Sequence, residues 1–299
     1  MFKLIRVKGD SWVFRAPTNL GVIITDNDAI VIDTGYGEDK VRKLLRVLKV
    51  IKKRVKIIIN THCHADHIDG NNFLKKRTNA LIYAPRKELS FIENPELHMR
   101  MFFNHAIPLL TLGTKFMVAR GSCVDEPIDE GEIKVLNRQL KIISLPGHSP
   151  GQIGILSDDD VFYIGDAVFT QQILNKYPLL FYVDIDDLLS SFEKLREVHA
   201  DYFVPGHGEI LTRKELIDTI KLYTSRINYV NNLILEILEK PTSLDDLISA
   251  VNRTLGTPPD LTQYYLSKTT IMAHVSYLFK HNKIKMHLEN YKLILECQA

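Results

Sequence analysis

Val55-Lys56-Ile57-Ile58-Ile59-Asn60-Thr61-His62-Cys63-His64-Ala65-Asp66-His67 is the stretch that decides how this chain is read. An apolar run of the buried-strand kind ends at Ile59. Three imidazoles and a carboxylate then fall between His62 and His67. Metal ligation is the economical reason for that concentration, because neutral imidazole and carboxylate are the ligands of zinc and related divalent ions. A strand ending in a tight turn would aim His62 and His64 at one ion, and Asp66 and His67 at a second. The stretch therefore reads as half of a dinuclear hydrolytic site whose other half lies downstream.

The 299 residues are 45% hydrophobic and 25% charged, an ordinary globular composition. That length fits one large domain, expected over 1–240, plus a small one over 241–299. A formal net charge of +2 is too small to argue for nucleic acid or an anionic membrane. Cys63, Cys123 and Cys297 form neither a disulfide framework nor a CxxC knuckle, so a reducing compartment is expected. No segment approaches the roughly 20 apolar residues that span a bilayer, and the N-terminus lacks a long apolar h-region. The expectation is a cytoplasmic protein without membrane partners.

Around the motif, short strands over residues 2 to 32 are separated by Gly9-Asp10, Pro17-Thr18-Asn19 and Asp26-Asn27-Asp28. Asp33-Thr34-Gly35 closes the last of them. Glu38 opens a helix to about Ile51, whose lysines and arginines read as a solvated face rather than an RNA patch. Gly70 opens another helix, and Ala80–Ala84 is a strand. Strand, loop, helix, strand is the alternation of a layered α/β protein. Residues 85 to 120 are rich in Met and Phe and read as a helix and loop over the domain. They would line a substrate pocket, form a homodimer surface or simply pack. His98 and His105 belong to no spaced cluster and are not ligand candidates. Strands resume at Ile133–Leu136, Leu140–Leu145, Ile153–Ser157 and Val161–Ile164, followed by an aperiodic aromatic segment over 169–183. Asp187–Val198 reads as a helix and Tyr202-Phe203-Val204 as a strand. Thr212-Arg213-Lys214-Glu215 is a capping-box pattern starting a helix to about Glu239. Beyond Pro241 come a helix capped by Ser243, a second helix from Thr269 or Thr270, and a hairpin across Glu289-Asn290, which is a winged-helix order.

Four segments are each a strand end followed by a Gly, His or Asp turn: His62 to His67, His148, Asp166 and His207. In layered folds such turns gather at one edge. His62, His64 and His148 make a three-histidine site with a position left for water. Asp66, His67 and His207 make a second, and Asp166 is placed to bridge them. Two cations about 3.5–4 Å apart hold a bridging hydroxide and lower its pKa toward neutrality. Asp66 is counted both as ligand and as catalytic carboxylate.

This constellation resembles the metallo-β-lactamase fold superfamily. The alternating histidines with Asp-His stand at His62 to His67, the histidine after a glycine at Gly147-His148, the bridging aspartate at Gly165-Asp166, and the last histidine at Gly206-His207-Gly208. Asp33-Thr34-Gly35 matches the family's early motif, whose aspartate supports the metal loop from behind the ligands. The resemblance covers residues 1 to about 210. It implies an αβ/βα sandwich of four layers, α/β (α+β) in class. Within the superfamily the chain looks like the glyoxalase II branch, and the added C-terminal unit is similar to the beta-lactamase-like protein 2 family.

The resemblance implies a dinuclear metal-dependent hydrolase of an ester, thioester or lactone carbonyl. Zinc is the expected ion, with iron or manganese as alternatives. Tyr177 and Tyr182 are the candidate substrate contacts, although aromatic packing is the plainer role of each. The alternative is a phosphodiesterase or endoribonuclease on single-stranded RNA. Against it, residues 241–299 hold six Lys or Arg and five Asp or Glu, far from a basic stripe. A mononuclear iron persulfide dioxygenase would keep the same histidines. A non-enzymatic winged-helix regulator is disfavoured by the intact ligand set.

Overall fold

The computed structural model describes residues 3–107 and 117–298. Seven strands form the first sheet in sequential order: β1 (Lys3–Lys8), β2 (Ser11–Arg15), β3 (Leu20–Ile24), β4 (Asp28–Ile32), β5 (Arg54–Ile59), β6 (Leu81–Pro85) and β7 (Glu126–Ile128). Short turns make the first four antiparallel. From β4 onward the strands are parallel. Helical crossovers require that change: α1 (Glu38–Val50), α2 (Ala65–Ile68) with α3 (Asn71–Thr78), and α4 (Leu89–Glu93) with α5 (Glu96–Phe102).

The second sheet holds β8 (Gly131–Val135), β9 (Arg138–Ser144), β10 (Ile153–Ser157), β11 (Val161–Gly165), β12 (Tyr202–Pro205) and β13 (Leu211–Thr212) in reverse sequence order. Helices α6 (Gln171–Lys176) and α7 (Ile185–Glu197) lie between β11 and β12, which are parallel. Helix α8 (Arg213–Ile237) follows. The C-terminal unit is β14 (Thr242–Ser243), α9 (Leu244–Leu255), α10 (Leu261–Lys280), β15 (Ile284–Glu289) and β16 (Lys292–Cys297). Its strands pair in the order β14-β16-β15.

Strand alternation sets the layers. In β4, Ile30 and Ile32 face the second sheet, where they meet Ile142, Ile155 and Tyr163. Ala29 and Val31 face the other way and meet Val41, Leu44 and Leu48 of α1 and Leu74 of α3. The second sheet turns Phe162, Ile164 and Phe203 outward onto Leu188 and Phe192 of α7 and Leu216, Ile220 and Tyr223 of α8. The result is the four-layer α/β sandwich expected from the resemblance. Each such buried Leu, Ile or Phe contributes about 1.5–3 kcal/mol. Helix α8 feeds two cores, since Val230, Leu233 and Ile234 near its end pack with α9, α10 and the terminal hairpin.

Several boundaries differ from expectation. Helix α10 begins at Leu261 rather than near Thr269, because the Asp260 side chain accepts from Gln263 N at 2.9 Å and caps it. Helix α7 starts at Ile185, capped by Asp184. The segment over 169–183 contains α6, and the metal motif itself turns into α2 directly after His64. Of the Met- and Phe-rich stretch, 85–107 and 117–120 are described, and 108–116 lie outside the described residues. Among the described residues no helix is long and apolar enough to cross a membrane.

The expected capping box at Thr212 is present. Thr212 Oγ1 accepts from Glu215 N, and Glu215 Oε2 accepts from Thr212 N at 2.8 Å. Thr212→Ala should lower unfolding free energy by about 1 kcal/mol in urea titrations. An unchanged midpoint would mean that packing alone fixes the start of α8.

Candidate metal centre

The ligand candidates sit where parallel strands end: His62 to His67 after β5, Asp166 after β11 and His207 after β12. His148 lies in the turn between β9 and β10. Three groups of donor atoms converge, each within 4.8 Å: His62, His64 and His148; His62, His67 and Asp166; Asp66, His67 and His207. His62 and His67 each belong to two of these groups, and Asp166 lies in the middle one, which is the geometry of two adjacent ions.

The ring orientations are set from behind. Asp33 closes β4 in the left-handed region, with φ of 58°. Its carboxylate accepts from Thr61 N, Thr61 Oγ1 and His67 Nδ1 at 2.8, 2.8 and 2.7 Å. Because the Thr61 hydroxyl donates to Asp33, it accepts from His62 Nδ1 at 2.9 Å. One carboxylate thus presents Nε2 of both His62 and His67 to the centre. His148 donates its Nδ1–H to the Phe181 carbonyl at 3.0 Å, and His207 donates its own to Pro17 O at 2.8 Å. Gly206 is required at its position, since a Cβ there would collide with the Asp166 carboxylate.

Among the described residues, His62 Nε2, His67 Nε2 and Asp166 Oδ1 face inward, buried without a hydrogen bond, although His67 Nε2 lies 3.4 Å from Asp166 Oδ1. A buried polar atom without a hydrogen bond costs about 1–3 kcal/mol, and two adjacent divalent cations would satisfy all three. His64 Nδ1 lies 2.8 Å from His148 Nε2, two imidazole nitrogens converging on one point. The donor set fits divalent ions.

A family model described as the metallo-beta-lactamase superfamily matches residues 13–207. The chain belongs to this superfamily. A linear primary-alkylsulfatase of Pseudomonas sp. (strain ATCC 19151) is 24% identical over 79% of this chain, which spans about half (51%) of that relative's length. A hydroxyacylglutathione hydrolase of Blochmanniella pennsylvanica is 26% identical over 70% of this chain and 68% of its own. A metallo-beta-lactamase family protein from Thermus thermophilus superposes with a TM-score of 0.72, at 18% identity, over 98% of this chain and 97% of its own. That likeness extends the shared fold through the C-terminal unit. Metal-dependent hydrolysis is the activity class of this superfamily member.

Its two ligand sets differ electrically. Burial, reinforced by neighbouring imidazoles, pushes His62 and His64 well below the usual histidine range. Burial also opposes charge on His67, but Asp166 and Asp33 outweigh it and raise its pKa to about 10. Burial works against charge on His207 too, and there Asp166 and Asp66 outweigh it and lift the ring well above the usual range.

Glu88 was not visible in the sequence as a site residue. It is fully buried, and its carboxylate accepts from Cys63 N, Ser149 Oγ and Gly151 N at 3.1, 2.9 and 2.6 Å. It ties the first ligand loop to the His148 loop. Cys63 turns away from the ligands and packs with Ile68, Ala84 and Ile92. His98 joins no ligand group, as expected, but its ring lies 5.0 Å from that of His64 and lines the cavity. Tyr177 also lines the cavity. Tyr182 does not: it is 2% exposed, with its hydroxyl 2.6 Å from His274 Nε2. That placement corrects its candidacy as a substrate contact.

Asp33→Ala should weaken metal affinity by roughly tenfold to a hundredfold in chelator competition. In metal-free protein the raised pKa keeps His67 protonated at pH 7, and ligation must displace that proton. Metal affinity should therefore rise with pH toward about 10. Calorimetric heats of metal binding should scale with buffer ionisation enthalpy, and buffer-independent heats would contradict the assignment.

Proposed function

We propose that this chain is a dinuclear zinc-dependent hydrolase acting on the carbonyl of an ester, thioester or lactone. The observation that carries the reading is a cavity of about 410 Å³ opening directly onto His64, Asp66, His148, Asp166 and His207. Its walls are mainly apolar, with Phe169, Ile173, Leu179, Leu180, Phe181 and Leu266 among them. An acyl group fits such walls, whereas a polyanionic RNA strand would lose phosphate hydration against them. The cationic side chains on the described lining are Lys40 and Lys176, apart from histidines. They suit a substrate with a single anionic group. The three free cysteines fit a reducing compartment.

His62, His64 and His148 would hold one ion, Asp66, His67 and His207 the other, with Asp166 between them. Bound divalent ions lower the pKa of coordinated water and polarise the substrate carbonyl. The protein supplies the rest. Apolar walls exclude bulk water and strengthen the polar contacts inside. Hydrolysis splits the acyl–oxygen or acyl–sulfur bond, and the departing alcohol or thiol needs a proton. Asp66 lies on the cavity wall, with Oδ2 3.2 Å from His207 Nε2, and is placed to relay that proton. His98 sits between the rings of His64 and Phe102. Its imidazole makes no hydrogen bond to another described residue and lines the cavity, so it is available to the substrate. Tyr177, at the end of α6, also lines the cavity.

Purified protein with its metal quantified should turn over a thioester or lactone. A bis-aryl phosphodiester, single-stranded RNA and a primary alkyl sulfate complete the panel. His64→Ala and Asp166→Ala should each lose roughly a hundredfold or more. Turnover of RNA or alkyl sulfate alone would overturn the acyl reading, and persulfide oxidation with one tightly bound iron would replace it. His98→Ala should lower kcat/KM by roughly tenfold to a hundredfold at unchanged metal content.

A further inference from the structure

The segment between α6 and α7, residues 177–184, is bonded on both of its sides. Toward the metal centre, Val183 N and Asp184 N donate to Gly147 O at 2.8 and 3.2 Å, and the Phe181 carbonyl accepts the Nδ1–H of His148. The Phe181 ring also lies 5.4 and 5.7 Å from the rings of His64 and His148. Toward the C-terminal unit, Thr270 Oγ1 donates to Leu180 O at 3.1 Å, and Tyr182 meets His274. His274 Nδ1 is engaged by Asn231 Oδ1 at 2.7 Å, which leaves Nε2 as acceptor for the Tyr182 hydroxyl.

Three features make this more than packing. Thr270, His274 and Tyr182 are each at most 2% exposed, so water cannot replace a lost partner. The contacts flank Phe181 on both sides, through Leu180 and Tyr182, and so fix the plane of the peptide whose carbonyl faces His148. Leu266, Thr270 and His274 recur every fourth residue, so they share one face of α10. Burial lowers the His274 pKa to about 3, which keeps it a neutral acceptor at ordinary pH.

We propose that the C-terminal unit is a positioning element of the metal centre. Helix α10, through Thr270 and His274, holds residues 180–182 so that the Phe181 carbonyl fixes the tautomer and ring orientation of His148. This rests on His148 being a metal ligand, as the proposed function requires. His274, Tyr182 and Asn231 lie off the cavity and act through His148, whereas Thr270 also lines the cavity wall.

The test uses full-length protein loaded with cobalt(II) as the probe, read by its visible spectrum and by chelator competition. Tyr182→Phe keeps the ring and removes one contact, and Thr270→Val is nearly isosteric and removes the other. In the double variant the affinity of the His62, His64 and His148 site should fall roughly tenfold to a hundredfold, with a changed spectrum. The Asp66, His67 and His207 site should stay within about twofold. His274→Gln, whose amide can accept from Tyr182 and donate to Asn231, should restore wild-type behaviour where His274→Leu does not. Equal melting losses with and without cobalt, at unchanged affinity and spectrum, would overturn the positioning role. His148→Ala is the control on the underlying assumption: if it binds cobalt like wild type, the ligand assignment fails rather than the clamp alone.

Discussion

The carboxylate of Asp33 is the constraint on which the centre depends. It is nearly fully buried at the end of β4 and accepts from three donors. A buried carboxylate is tolerated only when its oxygens are satisfied. Here the donors belong to the loop that carries the ligands. The parallel pairing of β4 with β5 brings the two strand ends side by side, and the backbone bonds between the loops follow. Thr34 N donates to His67 O at 2.8 Å, and Gly70 N to Gly35 O at 3.1 Å. The left-handed conformation at Asp33 turns its side chain into this position, a strained backbone placed where it serves the site.

Glu88 is the counterpart on the other flank. Asp33 holds the first loop to its own sheet, and Glu88 holds it to the turn of the second sheet that carries His148. The two ligand-bearing edges belong to different sheets, so core packing between the sheets alone would leave their relative register soft at the rim. A buried carboxylate with three donors stiffens that rim, because no bond can be released without leaving a charge unsatisfied.

Much of this was legible from the sequence because the candidate metal ligands are His and Asp gathered directly after strands or beside glycines. The motif from His62 to His67, the glycines beside His148, Asp166 and His207, and the acid in Asp33-Thr34-Gly35 carry that signature in the chain itself. Glu88, His98 and Tyr182 carry none. Glu88 stands among ordinary charged residues and is identified only by what surrounds its carboxylate. His98 is one imidazole without spaced partners, and the fold of α5 onto the centre places it. Tyr182 lies in an aperiodic segment whose facing cannot be deduced. Helix α10 begins well before its expected start for a related reason. Its first residues, Leu261 to Leu266, are exposed or half-buried, so no buried stripe marks them in the sequence, and the Asp260 cap starts the helix there.

The electrical difference between the ligand sets follows from the same architecture. The His62, His64 and His148 set lies among apolar neighbours and other imidazoles, which favour neutral rings ready to ligate. The Asp66, His67 and His207 set lies among carboxylates, which favour protonated rings and must lose those protons before ligating. An ion would therefore meet a preformed neutral site on one side, and on the other a charged network that it would have to replace. The neutral site has a different vulnerability. Asp166 lies 3.6 Å from His148 Nε2 on the inner side, but on the outer side of the ring the Nδ1–H of His148 is held by one backbone carbonyl, and that carbonyl is in a segment with little regular structure. Such a segment needs outside support, and the face of α10 against it supplies hydrogen bonds as well as the cavity's far wall.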